Sequence, residues 1–192
     1  MALISAAPAD PPGGSASGKV FLTQKEALAL AFQDCQVTRS TVALKPEHKL
    51  RVGKLAGSKF SKGLVFPYVA TRDGQLVGTA YFDVHRVRTL RETVMIVVDP
   101  QNRIQRIEIL AFGEPQQYKP RAKWYAQFVG HALDQRLSLK RGIKGVTGAT
   151  LTARAAVDAA RRVLAVHRVL GEIHRKQVRG GRPRAANAES GR

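Results

Sequence analysis

The chain has 192 residues, 44% of them hydrophobic, so it can form one folded domain with a substantial core. Its single cysteine, Cys35, excludes an internal disulfide and a cysteine-rich metal site, and no run approaches the roughly 20 apolar residues of a membrane-spanning helix. The formal net charge of +18 indicates attraction to anionic partners without identifying one.

Residues 1–18 are predicted to be a flexible leader, because they are rich in proline, glycine, serine and alanine. They also contain Ala7-Pro8-Ala9, which matches the small-x-small pattern of a signal-peptidase site but lacks a basic region and most of an apolar core before it. Two interpretations stay open. An export-signal remnant would place the protein in the periplasm or at a membrane, and a plain leader would leave it in the cytoplasm.

Residues 19–66 are predicted to form an N-terminal element of helices and a strand. Thr23 and Glu26 have the spacing of a capping box, which predicts a short amphipathic helix after Thr23. Residues 37–44 are β-prone, and Pro46 suits the first turn of a second helix through about residue 55.

The middle of the chain is predicted to be an antiparallel sheet of two hairpins. An Asp73-Gly74 turn joins the first pair of strands, and the run from Asp99 to Asn102 joins the second. The predicted strands are 64–71, 76–85, 93–98 and 103–112.

A short helical piece at 122–129 and a long helix from Leu151 follow, and the long helix has apolar residues at helical spacing on one face. The predicted fold class is therefore α+β, with the sheet flanked by helices and the long C-terminal helix packed on it. Residues 171–192 are predicted to be a basic disordered tail, because they become rich in arginine, glycine and alanine.

The segment that opens the long helix carries the strongest functional signal. The start of a helix has unpaired N–H groups and the positive end of the helix dipole, so it favours an anion such as phosphate. By itself the pattern is more often that of an ordinary helix cap. The candidate residues are Thr147, Gly148, Ala149, Thr150, Leu151 and Thr152.

This segment resembles the [S/T]-G-A-T-x-[T/S] signature of the FMN-binding domain family, which occurs in periplasmic subunits of sodium-translocating NADH:quinone reductases and Rnf-type complexes. The hairpin 94–112, Glu114-Pro115, and Trp124 with Gln127-Phe128 are similar to the other elements of that family. The resemblance also implies that Glu114 is a cofactor-binding residue. The resemblance covers about residues 67–170.

The resemblance implies that FMN is the cofactor and that Thr150 is the covalent acceptor, joined to FMN by a phosphoester. A flavin transferase would make that bond from FAD with magnesium. Thr152 is the weaker acceptor, and Leu151, Tyr118 and Trp124 are candidates for the flavin wall. The family usually has an acidic residue six positions before the modified threonine, where this chain has Lys144. Covalent attachment at Thr150 and non-covalent binding of FMN therefore both stay open.

The function predicted from these features is electron transfer by an FMN-binding domain among membrane or periplasmic redox proteins, with an anionic membrane surface as a further candidate partner. No catalytic residue and no metal site are predicted. One alternative is a flavin-dependent reductase of a small acceptor, for which Glu114 and His131 are the candidate proton donors. The other is a basic nucleic-acid-binding module, supported by charge alone.

Overall fold

The computed structural model describes residues 18–139 and 141–180, with Arg179 and Gly180 described without their side chains. The predicted leader therefore lies outside the described residues apart from Gly18. The described part is α+β, as the sequence predicts: a curled antiparallel sheet, a second small sheet and four α-helices.

The six-stranded sheet has the order β1-β8-β7-β6-β5-β2, and the two-stranded sheet pairs β3 with β4. The strands are β1 Lys19–Val20, β2 Gln36–Arg39, β3 Val42–Ala43, β4 Leu64–Val65, β5 Tyr68–Arg72, β6 Gln75–Arg86, β7 Arg91–Val98 and β8 Ile104–Phe112. The α-helices are α1 Gln24–Ala31, α2 Pro46–Ala56, α3 Ala122–Tyr125 and α4 Thr150–Gly180, and 3₁₀ turns occupy Gln116–Tyr118 and Ala126–Phe128.

Both predicted hairpins form. Asp73 and Gly74 have φ values of 50° and 75°, so they make the tight turn that suits two antiparallel strands. At the second turn, the Asp99 carboxylate accepts hydrogen bonds from the N–H groups of Gln101 and Arg103 at 2.9 and 2.8 Å. Register shifts in the β5–β6 pair and at two places in the β7–β8 pair mark bulges, which bend the sheet and account for its curl.

Two predicted strands are each divided between the two sheets, contrary to the prediction. Residues 37–44 form β2 and β3, and residues 64–71 form β4 and β5. Both segments leave the large sheet at the same place, where the Ser40 N–H donates to the Pro67 carbonyl at 2.9 Å. Proline lacks an N–H and cannot continue a ladder on both sides, which explains the break at Pro67.

Two further predictions change at the ends of the chain. Helix α4 runs to Gly180, so residues 171–180 are helical rather than part of a disordered tail, and residues 181–192 lie outside the described residues. Strands β1 and β2 come from the predicted N-terminal element, yet they form the two edges of the large sheet. The 19–66 segment is therefore built into the same sheet as the strands that follow it.

Strand β7 lies in the centre of the core, with helices on both faces of the sheet. Met95 and Val97 face α1, whereas Val94, Ile96 and Val98 face α4. Successive side chains of a strand point to opposite faces, so the part of β7 that is covered on both sides, residues 94–98, is apolar throughout. On the far side of α4, the Arg161 guanidinium donates to the Ala56 carbonyl at 3.1 Å and ties α2 to α4.

None of the helices in the described residues combines the length and apolar character needed to cross a bilayer.

Replacing Ile96 with alanine tests the packing of α4 on β7. Ile96 is fully buried, so we expect Ile96→Ala to lower the free energy of unfolding by about 2–5 kcal/mol through lost apolar contact and a cavity. Leu50→Ala is the control: Leu50 is 76% exposed, and its loss should change the free energy by about 0.5 kcal/mol or less. Urea unfolding measures both, and equal effects would contradict the assigned core.

Candidate functional site at the start of helix α4

A tight turn precedes α4. The Ala149 N–H donates to the Val146 carbonyl at 3.1 Å, and Gly148, at the third position of the turn, has a φ of +79°. These are the features of a type II turn, which needs a residue tolerant of positive φ at that position. Thr147 and Gly148 are both exposed on this turn.

The first turn of α4 offers three free donors. The Ala153 N–H donates to the Ala149 carbonyl at 2.9 Å, so alanine occupies the cap position and supplies no side-chain oxygen. Within residues 18–139 and 141–180, no acceptor meets the N–H groups of Thr150, Leu151 and Thr152. Together with the positive end of a 31-residue helix, they form a site suited to an anion.

The two threonines of this turn have different surroundings. Thr150 is exposed, so its hydroxyl is open to a ligand. Thr152 is only 1% exposed, and its hydroxyl donates to the Tyr118 carbonyl at 2.7 Å. Thr152 therefore fastens the 3₁₀ turn Gln116–Tyr118 to the start of α4, and its oxygen faces the protein interior.

Side chains of α3 and of the 3₁₀ turn that follows it fix the loop before α4. The Trp124 indole N–H donates to the Lys144 carbonyl at 2.7 Å, and the Gln127 side-chain oxygen accepts from the Lys144 N–H at 2.9 Å. The Gln127 amide also donates to the Trp124 carbonyl at 3.1 Å. The main chain of Lys144 is thus fixed on both sides while its side chain remains exposed.

Glu114 organises a neighbouring loop. One oxygen of its carboxylate accepts from the N–H groups of Arg88, Thr89 and Leu90 at 3.1, 2.7 and 2.8 Å. The hydrogen bond from Leu90 is the main cause that lowers the pKa of Glu114, with those from Thr89 and Arg88 adding to it. The carboxylate therefore holds the β6–β7 loop. The Arg88 guanidinium in turn lies 5.1 Å from the centre of the Tyr118 ring, which connects this loop to α4 through Thr152.

The sequence of this region matches a known family. Residues 91–165, which run from β7 into α4 and include Glu114, Gln127 and the Gly148-Ala149-Thr150 turn, match the family model described as FMN-binding domain. This segment belongs to the FMN-binding domain family. No curated protein matches the chain.

The start of α4 fits the FMN phosphate, as the cofactor of an FMN-binding domain requires. Three free N–H groups, an exposed hydroxyl at Thr150 and an exposed turn glycine lie together at the positive end of the helix. From residue 141 through residue 157 the chain contains no acidic residue, while Arg141, Lys144 and Arg154 are basic. Leu151 is 45% exposed beside these donors, which leaves an apolar surface for a flavin ring.

The two candidate proton donors of the reductase alternative lie apart. The His131 carbonyl accepts from the Ile104 N–H at the start of β8, whereas Glu114 follows the end of β8 and holds the β6–β7 loop. Nine strand residues span about 27 Å, so Glu114 and His131 do not form a common acid–base pair. Among the described residues, buried Nδ1 of His131 has no hydrogen-bond partner.

The FMN-binding domain also contains part of a buried ionic cluster that the sequence analysis missed. The His85 imidazole bonds Asp83 through Nδ1 at 3.1 Å and Glu92 through Nε2 at 3.0 Å. Asp83 also accepts from Arg162 of α4 at 2.6 Å, and the Tyr125 hydroxyl donates to Glu92 at 3.3 Å. The available signal was the alternation on β6, where Tyr81, Asp83 and His85 point to the same face.

The pKa values of this cluster are shifted in opposite directions. Burial opposes charge on His85, but its hydrogen bonds and charge interactions with Asp83 and Glu92 outweigh burial and raise its pKa. Burial likewise opposes charge on Asp83, while His85, Arg162 and Lys62 together lower its pKa far below the ordinary value. Burial is the main cause that raises the pKa of Tyr125, so its hydroxyl remains a proton donor.

The cluster predicts a pH window of greatest stability. The raised pKa of His85 contributes stability that is present below its ordinary value of 6.5 and is lost as pH rises through the folded-state value. The lowered pKa of Asp83 contributes stability that is present above its ordinary value of 3.8 and is lost as pH falls. We therefore expect urea unfolding to show a maximum between these two values.

Glu92→Gln tests the alkaline side of this window. It removes one of the two carboxylates that favour the charged imidazole, so less stability should be lost between pH 6 and pH 8 than in the wild type, by urea unfolding. Glu108→Gln, which changes a surface carboxylate paired with Arg106, is the control and should keep the wild-type slope. An unchanged slope in Glu92→Gln would contradict the assigned role of the cluster.

Proposed function

We propose that the domain transfers electrons through an FMN attached to Thr150, between redox proteins of the periplasm or the membrane surface. The observation that carries this proposal is the exposed Thr150 hydroxyl, which lies at a helix start with three free N–H donors. FMN supplies the redox chemistry when bound, and the protein supplies binding, orientation and electrostatics.

Each residue of the site has a task in this proposal. The N–H groups from Thr150 to Thr152 hold the phosphate, and the Gly148 turn leaves space around it. Trp124 and Gln127 fix the loop that carries Thr150, so little conformational freedom is lost on binding. The basic residues near the site favour a more negative flavin and an acidic docking partner, with an association rate that falls as salt increases.

Covalent attachment at Thr150 would be a substitution at phosphorus, in which the threonine oxygen replaces AMP. The Thr150 oxygen forms a bond to the FMN phosphorus of FAD, the pyrophosphate bond breaks, and AMP leaves. The hydroxyl proton passes to solvent. No electron is gained or lost, and the flavin transferase with its magnesium ion supplies the catalysis.

Thr150→Val tests the site of attachment. After co-expression with a flavin transferase, wild-type protein should give a band that fluoresces under ultraviolet light on a denaturing gel and an intact mass increased by one FMN less water. Thr150→Val should lose both signals, because valine has the same shape and no hydroxyl, while Thr150→Ser should keep them.

Thr38→Val is the matched control, because Thr38 is exposed on β2 and lies outside the matched segment 91–165. It should remain flavinylated. A fluorescent Thr150→Val protein would contradict attachment at Thr150. A wild-type protein that neither becomes labelled nor binds added FMN would contradict the FMN site at α4.

Lys144→Glu tests the departure from the family pattern. The side chain of Lys144 is exposed and its main chain is held by Trp124 and Gln127, so the substitution should leave the loop in place. Since the family usually has an acidic residue there, we expect the flavinylated fraction to increase at least twofold by intact mass. Lys123→Glu makes the same charge change at another exposed position and should have no such effect. Equal increases would indicate a general effect of charge.

A further inference from the structure

A cavity of about 500 Å³, called here the second cavity to distinguish it from the candidate site at the start of α4, lies between the edge of the large sheet and α4. Strand β5 pairs with β6 only as far as Tyr68 and Ala80, because the chain turns away at Pro67 into the small sheet. Beyond Ala80, within the described residues, β6 pairs with β7 alone. The space beside Tyr81, Phe82 and Asp83 is therefore left open and forms the cavity.

Aromatic rings make up much of the cavity wall. Tyr68 and Phe82 meet edge to face, with ring centres 5.2 Å apart. Phe66 is 39% exposed, and the Arg39 guanidinium lies 4.5 Å from the centre of its ring. Such walls favour a flat ring, which can stack against one aromatic side chain and meet the edge of another.

The charges around the cavity favour an anion. Asp83 is neutralised by Lys62 at 3.2 Å and Arg162 at 2.6 Å. Arg39 also lines the cavity, and it has no carboxylate partner among the described residues. Three cationic side chains therefore face one carboxylate, and a bound monoanion would reduce the excess positive charge.

We propose that this cavity binds a planar aromatic monoanion, with its rings against Phe66 and its carboxylate directed to Arg39. The volume lies within the range of small-molecule sites, which are mostly apolar with a few polar groups that orient the ligand. The site is separate from the FMN site: Arg162 lies twelve residues after Thr150 on α4, about 18 Å along the helix.

Calorimetric titration with 2-naphthoate tests the proposal, and its neutral isostere 2-naphthamide serves as the comparison ligand. We expect saturable binding of naphthoate, about tenfold tighter than that of naphthamide. The reason is that only the naphthoate carboxylate forms a hydrogen bond between two charged groups with the Arg39 guanidinium. Equal affinities, no saturation, or equally tight binding of inorganic phosphate would overturn the proposal.

Arg39→Gln and Phe66→Ala separate the charge from the rings. Arg39→Gln should weaken naphthoate about tenfold and leave naphthamide unchanged, whereas Phe66→Ala should weaken both ligands. Arg86→Gln removes an exposed strand arginine that does not line the cavity, so it should change neither affinity. An Arg39→Gln protein with wild-type affinity for naphthoate would contradict the proposal.

Amide NMR spectra distinguish this site from the FMN site. Naphthoate should shift the resonances of Arg162 and Val166, which line the cavity, and leave those of Thr150 to Thr152 unchanged. FMN attachment should be equal in wild-type and Arg39→Gln protein. Shifts confined to the start of α4, or loss of FMN attachment in Arg39→Gln, would show that the two ligands share one site and would overturn the proposal.

Discussion

The packing of α4 on the central strands is the constraint on which the rest of the molecule depends. Val94, Ile96 and Val98 of β7 point to α4, and the alternate residues of the same strand point to α1. Because the helix lies along the sheet, its start is brought beside the β6–β7 loop and its middle beside Asp83. One apolar interface thus determines where the candidate FMN-binding turn, the ionic cluster and the second cavity are placed.

The start of α4 is held by contacts that are largely independent of the core. Thr152 binds the carbonyl of Tyr118, Glu114 gathers three N–H groups of the β6–β7 loop, and Trp124 with Gln127 holds Lys144. Each contact satisfies main-chain groups in a loop that has no ladder of its own. The donors of the first helical turn are consequently fixed in place before any ligand binds, which lowers the entropic cost of binding a phosphate.

Buried charge is tolerated in this fold because it is balanced. Glu92 is fully buried and Asp83 is 5% exposed, but His85, Arg162, Lys62 and the Tyr125 hydroxyl contact them. Removing one partner of such a group leaves an uncompensated charge, so the cluster is sensitive to each of its members. It also joins β6, β7, α3 and α4.

Local pattern by itself determined much of the fold and the resemblance to FMN-binding domains. The capping box at Thr23, the Asp73-Gly74 turn and the apolar face of α4 each act within a few residues, and all three appear where the sequence predicts them. The Gly148-Ala149-Thr150 turn and its resemblance to FMN-binding domains were visible for the same reason. By contrast, the breaks near Ser40 and Pro67 arise because the chain there passes between two sheets.

Only the tertiary structure decided which side chains serve the site and which serve the fold. Thr150 and Thr152 are alike in sequence, yet one is exposed and the other bonds Tyr118, since the helix turns them to different surroundings. The Glu114 carboxylate accepts hydrogen bonds from the β6–β7 loop at one end of β8, and His131 lies at the other end of that strand. The sequence determined the elements and the turn at Gly148 because those depend on neighbours along the chain. Accessibility, charge pairing and the second cavity depend on residues far apart in sequence, which only packing brings together.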